Sequence, residues 1–332
     1  MLKPGPGQHY FLYQPLKLRG WENHPFTLGA YETIGDSDTV GTAKFQTECK
    51  GDEQALRDKE IQVTATSPSS STPSSDVTPA PSQHENTVFQ DAAGRQKLTF
   101  FIRPFSSWTK RLRQECLKSP DGMITPSVFI EGPYGERSPL NTFENVVFVV
   151  GGTGIAGAVP YILEHIRTTT DSAKESSGNA RLATRTRDIT LLWSAKQSAL
   201  IRNIAAHELK PILGHKDIHV HLHATSPFEV PSSSSSSDVN SKEIAVADMD
   251  LKPGTAATGI NDDALNIAYG RPDIRKTILD LVDEVHEAGA AGGKIAILTC
   301  GPGGMADEAR AAVHTALKQG KRGVEYIEET FG

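Results

Sequence analysis

Asn145-Val146-Val147-Phe148-Val149-Val150, followed by Gly151-Gly152-Thr153-Gly154-Ile155-Ala156-Gly157, is the stretch on which the fold turns. Its first half is a nearly continuous β-branched run, as a strand buried on both faces requires. Gly152 to Gly157 then fits G-x-G-x-x-G, and residues 156–166 carry the apolar spacing of a helix. Without side chains at the turn, the backbone can approach a pyrophosphate, whose charge meets the positive end of the helix dipole. A merely tight turn would use the same glycines, but a turn set between strand and helix favours dinucleotide binding.

Downstream, strand and helix alternate. Strands are predicted at 188–194, 218–224, 294–299 and 323–327, with helices at 200–209, at 274–285 behind Pro272, and at 305–317. This pattern gives a doubly wound parallel sheet over residues 145–332. Upstream, short strands at 8–14, 25–31, 59–66, 96–103 and 128–130 are divided by Gly and Pro, which predicts an antiparallel barrel or sandwich over residues 1–144. Its helix candidate is 108–117, capped by Ser106 or Ser107. Stretches rich in Ser, Thr and Pro cannot bury enough apolar surface to offset the entropy of ordering. Insertions are therefore expected at about 67–95, 168–187 and 227–262.

A net charge of -6 and a pI near 6.0 argue against a nucleic-acid binder, because phosphate contact needs a surplus of Lys and Arg. Cys49, Cys116 and Cys300 are too few and too far apart for a disulfide framework or a zinc ribbon, which points to a reducing compartment. No apolar run approaches the ~20 residues of a membrane-spanning helix, and residues 1–20 lack a signal-peptide pattern. The chain as written therefore reads as soluble.

The second strand of the parallel sheet ends Leu192-Trp193-Ser194-Ala195-Lys196, without the acidic residue that would bond a ribose hydroxyl. A hydroxyl and a cation there suit a 2′-phosphate, so NADPH is favoured over NADH; a solvated surface lysine is the competing reading of Lys196. Cys300-Gly301-Pro302-Gly303-Gly304-Met305 forms a second glycine-rich turn at the same sheet edge. Cys300 thus borders the expected nicotinamide position, or else is a buried structural thiol. His219, His221 and His223 alternate along one strand face, yet no further ligand stands at a familiar metal spacing, so a polar face is favoured over a metal site. No nucleophile elbow or carboxylate pair is evident, and hydride transfer requires neither.

The ordered series Pro6-Gly7-Gln8-His9-Tyr10-Phe11-Leu12, His24-Pro25-Phe26-Thr27, Trp108-Thr109-Lys110-Arg111-Leu112, Gly132-Pro133-Tyr134-Gly135, Gly151-Gly152-Thr153-Gly154, Gly270-Arg271-Pro272 and Cys300-Gly301-Pro302 resembles ferric reductases of the fungal type. NADPH oxidases share several of these motifs. The resemblance implies an N-terminal FAD-binding barrel and a C-terminal NADPH-binding domain. It assigns His24, Pro25, Phe26, Thr27, Trp108 and Thr109 to FAD. Gly151, Gly152, Thr153, Gly154, Ser194, Lys196, Arg271, Cys300, Gly301 and Pro302 are assigned to NADPH. Thr27 and Cys300 would act at the hydride-transfer centre, and Phe331 is the candidate for covering the flavin face. Gly132 to Gly135 resembles the junction between the two domains.

The implied activity is NADPH-dependent ferric-chelate reduction: hydride passes to FAD, then single electrons go to haem and ferric iron. Family members carry haem in transmembrane helices ahead of this region, at the plasma membrane, with this half in the cytosol. They also carry barrel strands before the Pro-Gly-Gln-His segment, so residues 8–14 are expected to lie open as a sheet edge. The alternatives are a superoxide-producing NADPH oxidase module and a non-catalytic nucleotide-binding fragment.

Overall fold

The computed structural model describes residues 3–14, 24–34, 43–47, 61–66, 95–105, 107–174, 184–226 and 265–329. Phe331, Cys49, Ser106 and nearly all of the insertions expected at 67–95 and 227–262 lie outside them.

The first half is an antiparallel sheet of seven strands: β1 (His9–Tyr13), β2 (His24–Ile34), β3 (Ala43–Thr47), β4 (Ile61–Thr66), β5 (Arg95–Ile102), β6 (Met123–Ile124) and β7 (Phe129–Tyr134), in the order β6-β3-β4-β5-β2-β1-β7. Alternation sends Tyr10 and Leu12 of β1 inward with Leu28, Leu98, Phe100 and Ile102. Helix α1 (Ser107–Lys118) covers them with Trp108, Leu112 and Cys116, a stripe of fourfold spacing. The expected open edge at residues 8–14 does not occur. β1 pairs with β2 on one side and with β7 on the other, because β7 runs longer than the sequence suggested and folds back along it. Among the described strands the edges are β6 and β7.

The second half is a parallel sheet, β11-β10-β9-β8-β12-β13. Its strands are β8 (Asn145–Gly151), β9 (Asp188–Ala195), β10 (Ile218–Ala224), β11 (Ile267–Tyr269), β12 (Ile295–Cys300) and β13 (Val324–Glu328). Helices α2 (Val159–Lys174), α3 (Ser198–Ala206), α4 (Ile274–Glu287) and α5 (Gly303–Lys318) join them. The glycine motif does not open α2 directly: Gly152–Gly157 winds as a 3-10 turn and α2 starts at Val159. α2 also continues into the stretch whose composition reads as an insertion. One core, with Trp193 and Ile162, lies on the side of α2 and α3, and a second, with Ile278 and Val313, lies under α4 and α5.

The two halves share a core. Ala30 and Phe101 of the antiparallel sheet belong to the same apolar cluster as Ile155, Val159 and Ile162. They reach it through an irregularity between β2 and β5, where Leu28 faces Phe100 but Ala30 faces Thr99, leaving Gly29 as the extra residue. A Cβ on Gly29 would lie 2.6 Å from the Phe101 ring. Gly29→Ala should therefore displace Phe101 and cost ~1–3 kcal/mol in chemical denaturation, the range for overpacking. An unchanged midpoint would mean that the ring moves aside freely.

Candidate functional site

On the flavin side, the register places Thr27 opposite His9 and Pro25 opposite Phe11, on the outward face of β1 and β2. His24 and Phe26 point the other way. His24 stacks on Trp108 with ring centroids 6.3 Å apart and planes 8° from parallel, and Phe26 meets the same indole at 5.9 Å. Trp108 is buried and its Nε1 donates to Oε1 of Gln14 at 3.1 Å. The motif His24-Pro25-Phe26-Thr27 is thus divided by the pleat: two side chains anchor the strand on α1 and two face outward. Thr109, also buried, accepts a hydrogen bond from the Phe105 amide at 3.1 Å, which fixes the chain entering α1.

On the nicotinamide side, chain order reverses between β8 and β12, and this switch point at the carboxyl edge is where open α/β sheets bind ligands. Both glycine-rich turns leave from it. They pack on each other: a Cβ at Gly154 would lie 2.1 Å from the Cys300 carbonyl oxygen, and one at Gly151 would lie 2.7 Å from Pro302. The buried Trp193 indole donates to the Gly152 carbonyl at 3.0 Å and holds the turn from below. Thr153 is half-buried within it. Gly303 and Gly304, at the start of α5, have open space where a side chain would project. Backbone amides at such a helix start can be approached by a phosphate.

Ser194 pairs with Gly151 in register, and the exposed Lys196 follows it. The end of β10 tethers this segment, since Thr225 N–H donates to Ala195 and Ser226 N–H to Lys196, both at 2.8 Å. Arg271, exposed, leaves the end of β11, beside the end of β10. From β11 to β12 the edge spans four strand spacings, roughly 19 Å at about 4.8 Å each. Arg271 and Cys300-Gly301-Pro302 therefore lie at opposite ends of one crevice, with Ser194 and the glycine turn between them.

Cys300 is buried, and burial together with the nearby Glu329 carboxyl pushes its thiol well above the ordinary range. Glu329 was not legible as a site residue. It follows β13, where its N–H donates to Thr299 at 2.9 Å, and burial raises its carboxyl to about 7. A Cβ at Gly157 would touch both groups, 3.0 Å from Glu329 Oε2 and 3.2 Å from Cys300 Sγ. Trp193, Tyr161, Thr225 and Ser226 were likewise missed; of these only Trp193 stood inside a quoted strand end. Of the three alternating histidines, His219 pairs with Asp188 at 3.1 Å, and among the described residues no group of three His, Cys, Asp or Glu side chains is arranged for a metal ion. β2 packs on the glycine turn, where Ala30 joins the apolar cluster of Ile155.

Two family models match the chain. The family model described as "Ferric reductase NAD binding domain" matches residues 143–314, and the "FAD-binding domain" model matches residues 82–138. Both support FAD and a nicotinamide nucleotide as the ligands. "Ferric reductase transmembrane component 3" of Saccharomyces cerevisiae is 26% identical over 257 residues, covering 74% of this chain and 32% of that protein. "Ferric/cupric reductase transmembrane component 2" of the same yeast is 24% identical over 256 residues, with the same coverage. The chain thus spans about a third of the length of these relatives, which are membrane components, and among the described residues no helix is long and apolar enough to cross a membrane. A ferredoxin NADP+ reductase from Neisseria gonorrhoeae with bound FAD and NADP aligns over 99% of this chain and all of its own length at 11% identity, with a TM-score of 0.37. So low a score leaves the architecture resting on the strand order itself. With the first family model covering more than half of its residues, the chain belongs to the ferric reductase NAD-binding domain family.

Proposed function

We propose that the chain is the FAD- and NADPH-binding module of a ferric-chelate reductase, taking hydride from NADPH and passing electrons towards haem and ferric iron. The observation that carries this reading is the crevice at the switch point: a packed double glycine turn against which β2 of the antiparallel sheet packs, with Arg271 at the far end of the same sheet edge. Bound FAD would supply the conversion of a two-electron hydride into single electrons. Residues of this chain supply binding and orientation. His24 and Phe26, locked on Trp108, hold β2 so that Thr27 presents a hydroxyl on the outward face, where it can donate to a flavin nitrogen. The start of α1 beside Thr109 offers helix-terminal amides to the FAD pyrophosphate. Gly151 to Gly154 and Gly301 to Gly304 offer backbone to the nicotinamide nucleotide. Cys300 and Glu329 would border its reactive end, the thiol kept neutral by burial and the carboxyl raised to about 7.

Preference for NADPH rests on charge. Ser194 and Lys196 at the end of β9, and Arg271 at the end of β11, suit a 2′-phosphate, and the end of β9 carries no carboxylate to bond a ribose diol. Ferric iron as final acceptor and a membrane part as partner are supported by the relatives' names and by the fraction of their length matched here, and haem by the sequence resemblance.

Three outcomes test the reading. Arg271→Ala should raise the NADPH KM about 10- to 100-fold and leave NADH little changed, since a charge-assisted contact worth ~1.5–3 kcal/mol is lost; equal losses with both nucleotides would remove Arg271 from the 2′-phosphate. Thr27→Ala should slow flavin reduction in stopped flow more than it weakens FAD binding, and a loss of FAD content alone would place the hydroxyl elsewhere. The third concerns Glu329, raised from 4.5 to about 7. Between those values the folded protein keeps a proton that the unfolded chain has released, so stability falls as pH rises through that window and levels off above it. Glu329→Gln should flatten this part of the pH dependence of Tm, whereas a slope equal to the parent's would mean that Glu329 titrates normally.

A further inference from the structure

Helix α2 opens behind the glycine turn, and three of its side chains at threefold spacing reach towards the flavin half. Arg167 Nη2 donates to the Tyr31 carbonyl at 2.6 Å while its guanidinium lies 4.7 Å above the Tyr31 ring. Glu164 pairs with Arg137 at 2.5 Å, in the segment joining the two halves. That pair is partly exposed, so it contributes little on its own. Tyr161 is different, because it is buried and engaged on two sides.

The Tyr161 Oη accepts the Ser138 N–H at 3.0 Å and lies 3.2 Å from Glu329 Oε1. An amide can only donate, so the phenolic hydrogen is directed at the carboxyl. The ring itself packs near Phe148 of β8, centroids 6.1 Å apart. Gly7, ahead of β1, adopts φ +73°, and a Cβ there would come within 2.6 Å of the same hydroxyl. One phenol thus meets the segment before β1, the junction segment after β7, and the residue after β13. Packing alone would be served as well by phenylalanine. The hydroxyl is what ties Ser138 to Glu329.

We propose that Tyr161 is a positioning residue: by joining the Ser138 amide to the Glu329 carboxyl, it holds the flavin half in register with the reactive end of the nicotinamide crevice. The proposal rests on the functional reading above and adds the element that aligns the two ligand sites. Besides Tyr161, the titratable group facing Glu329 is Cys300 of β12, whose thiol carries no charge at neutral pH. The strength of the tie is therefore set by the carboxyl: ionised, it accepts a charge-assisted hydrogen bond, which is stronger than the neutral one.

Tyr161→Phe in the FAD-loaded protein is the test. Without added nucleotide, exchange at the Ser138 amide should rise at least tenfold, while amides of Val147–Val150 in β8 keep their protection and report an intact fold. With NADPH, the flavin reduction rate should fall several-fold at unchanged FAD content and unchanged NADPH Kd. Glu329→Gln retains an acceptor for the phenol and should leave Ser138 protected, whereas Glu329→Leu should expose it. Unchanged Ser138 exchange in Tyr161→Phe, or loosened Ser138 with an unaltered reduction rate, overturns the proposal. A parent protein that oxidises no nicotinamide nucleotide overturns the functional reading instead, and the exchange result still decides whether Tyr161 ties Ser138 to Glu329.

Discussion

Gly154 meets the Cys300 carbonyl at a separation no side chain could occupy, and the geometry of the crevice depends on that contact. It lets the turn after β8 lie flat across the end of β12. Gly151 and Gly157 extend the same approach towards Pro302 and the Cys300 sulfur. The glycines that a fingerprint motif offers to a phosphate are here used first for the protein's own packing at the switch point. Gly303 and Gly304, at the start of α5, have open space where a side chain would project, and under the proposed function they are positions for a ligand's approach.

The crevice is also electrically uneven. At one end burial pushes the Cys300 thiol and the Glu329 carboxyl towards their neutral forms. At the other stands the exposed Arg271, with the exposed Lys196 midway along the edge at the end of β9. Under the proposed function this asymmetry orients the nucleotide, because the extra phosphate is drawn to the cationic end and the uncharged reduced ring is accepted at the other. Neither end needs a metal ion or a nucleophile for that sorting.

Long apolar runs and glycine turns made β8, β9, β10 and β12 legible, because a strand buried on both faces has few other ways to be written. β3, β6 and β11 were missed because AKFQT, MI and IAY are short, and the first and last are only partly apolar. The placement of residues 8–14 failed for a different reason. Whether a strand is an edge depends on its partner, and Phe129–Tyr134 reads as a few apolar residues followed by a Gly-Pro turn. Tyr161 and Glu329 were illegible because their relation spans 168 residues, and neither lies at a spacing that local chemistry marks. The pleat that sends His24 and Phe26 inward while Thr27 faces out was latent in the sequence, but only the position of Trp108 gave it a meaning.

Phe101 gives the fold a further property. Its backbone belongs to the flavin-side sheet, yet its ring completes the apolar cluster of the nicotinamide half, across the glycine left over at the irregularity of β2. Neither half buries its own surface in full without the other, so the boundary near residue 145 does not divide the interior. Unfolding of either half strips the other of part of its interior, which couples the two transitions.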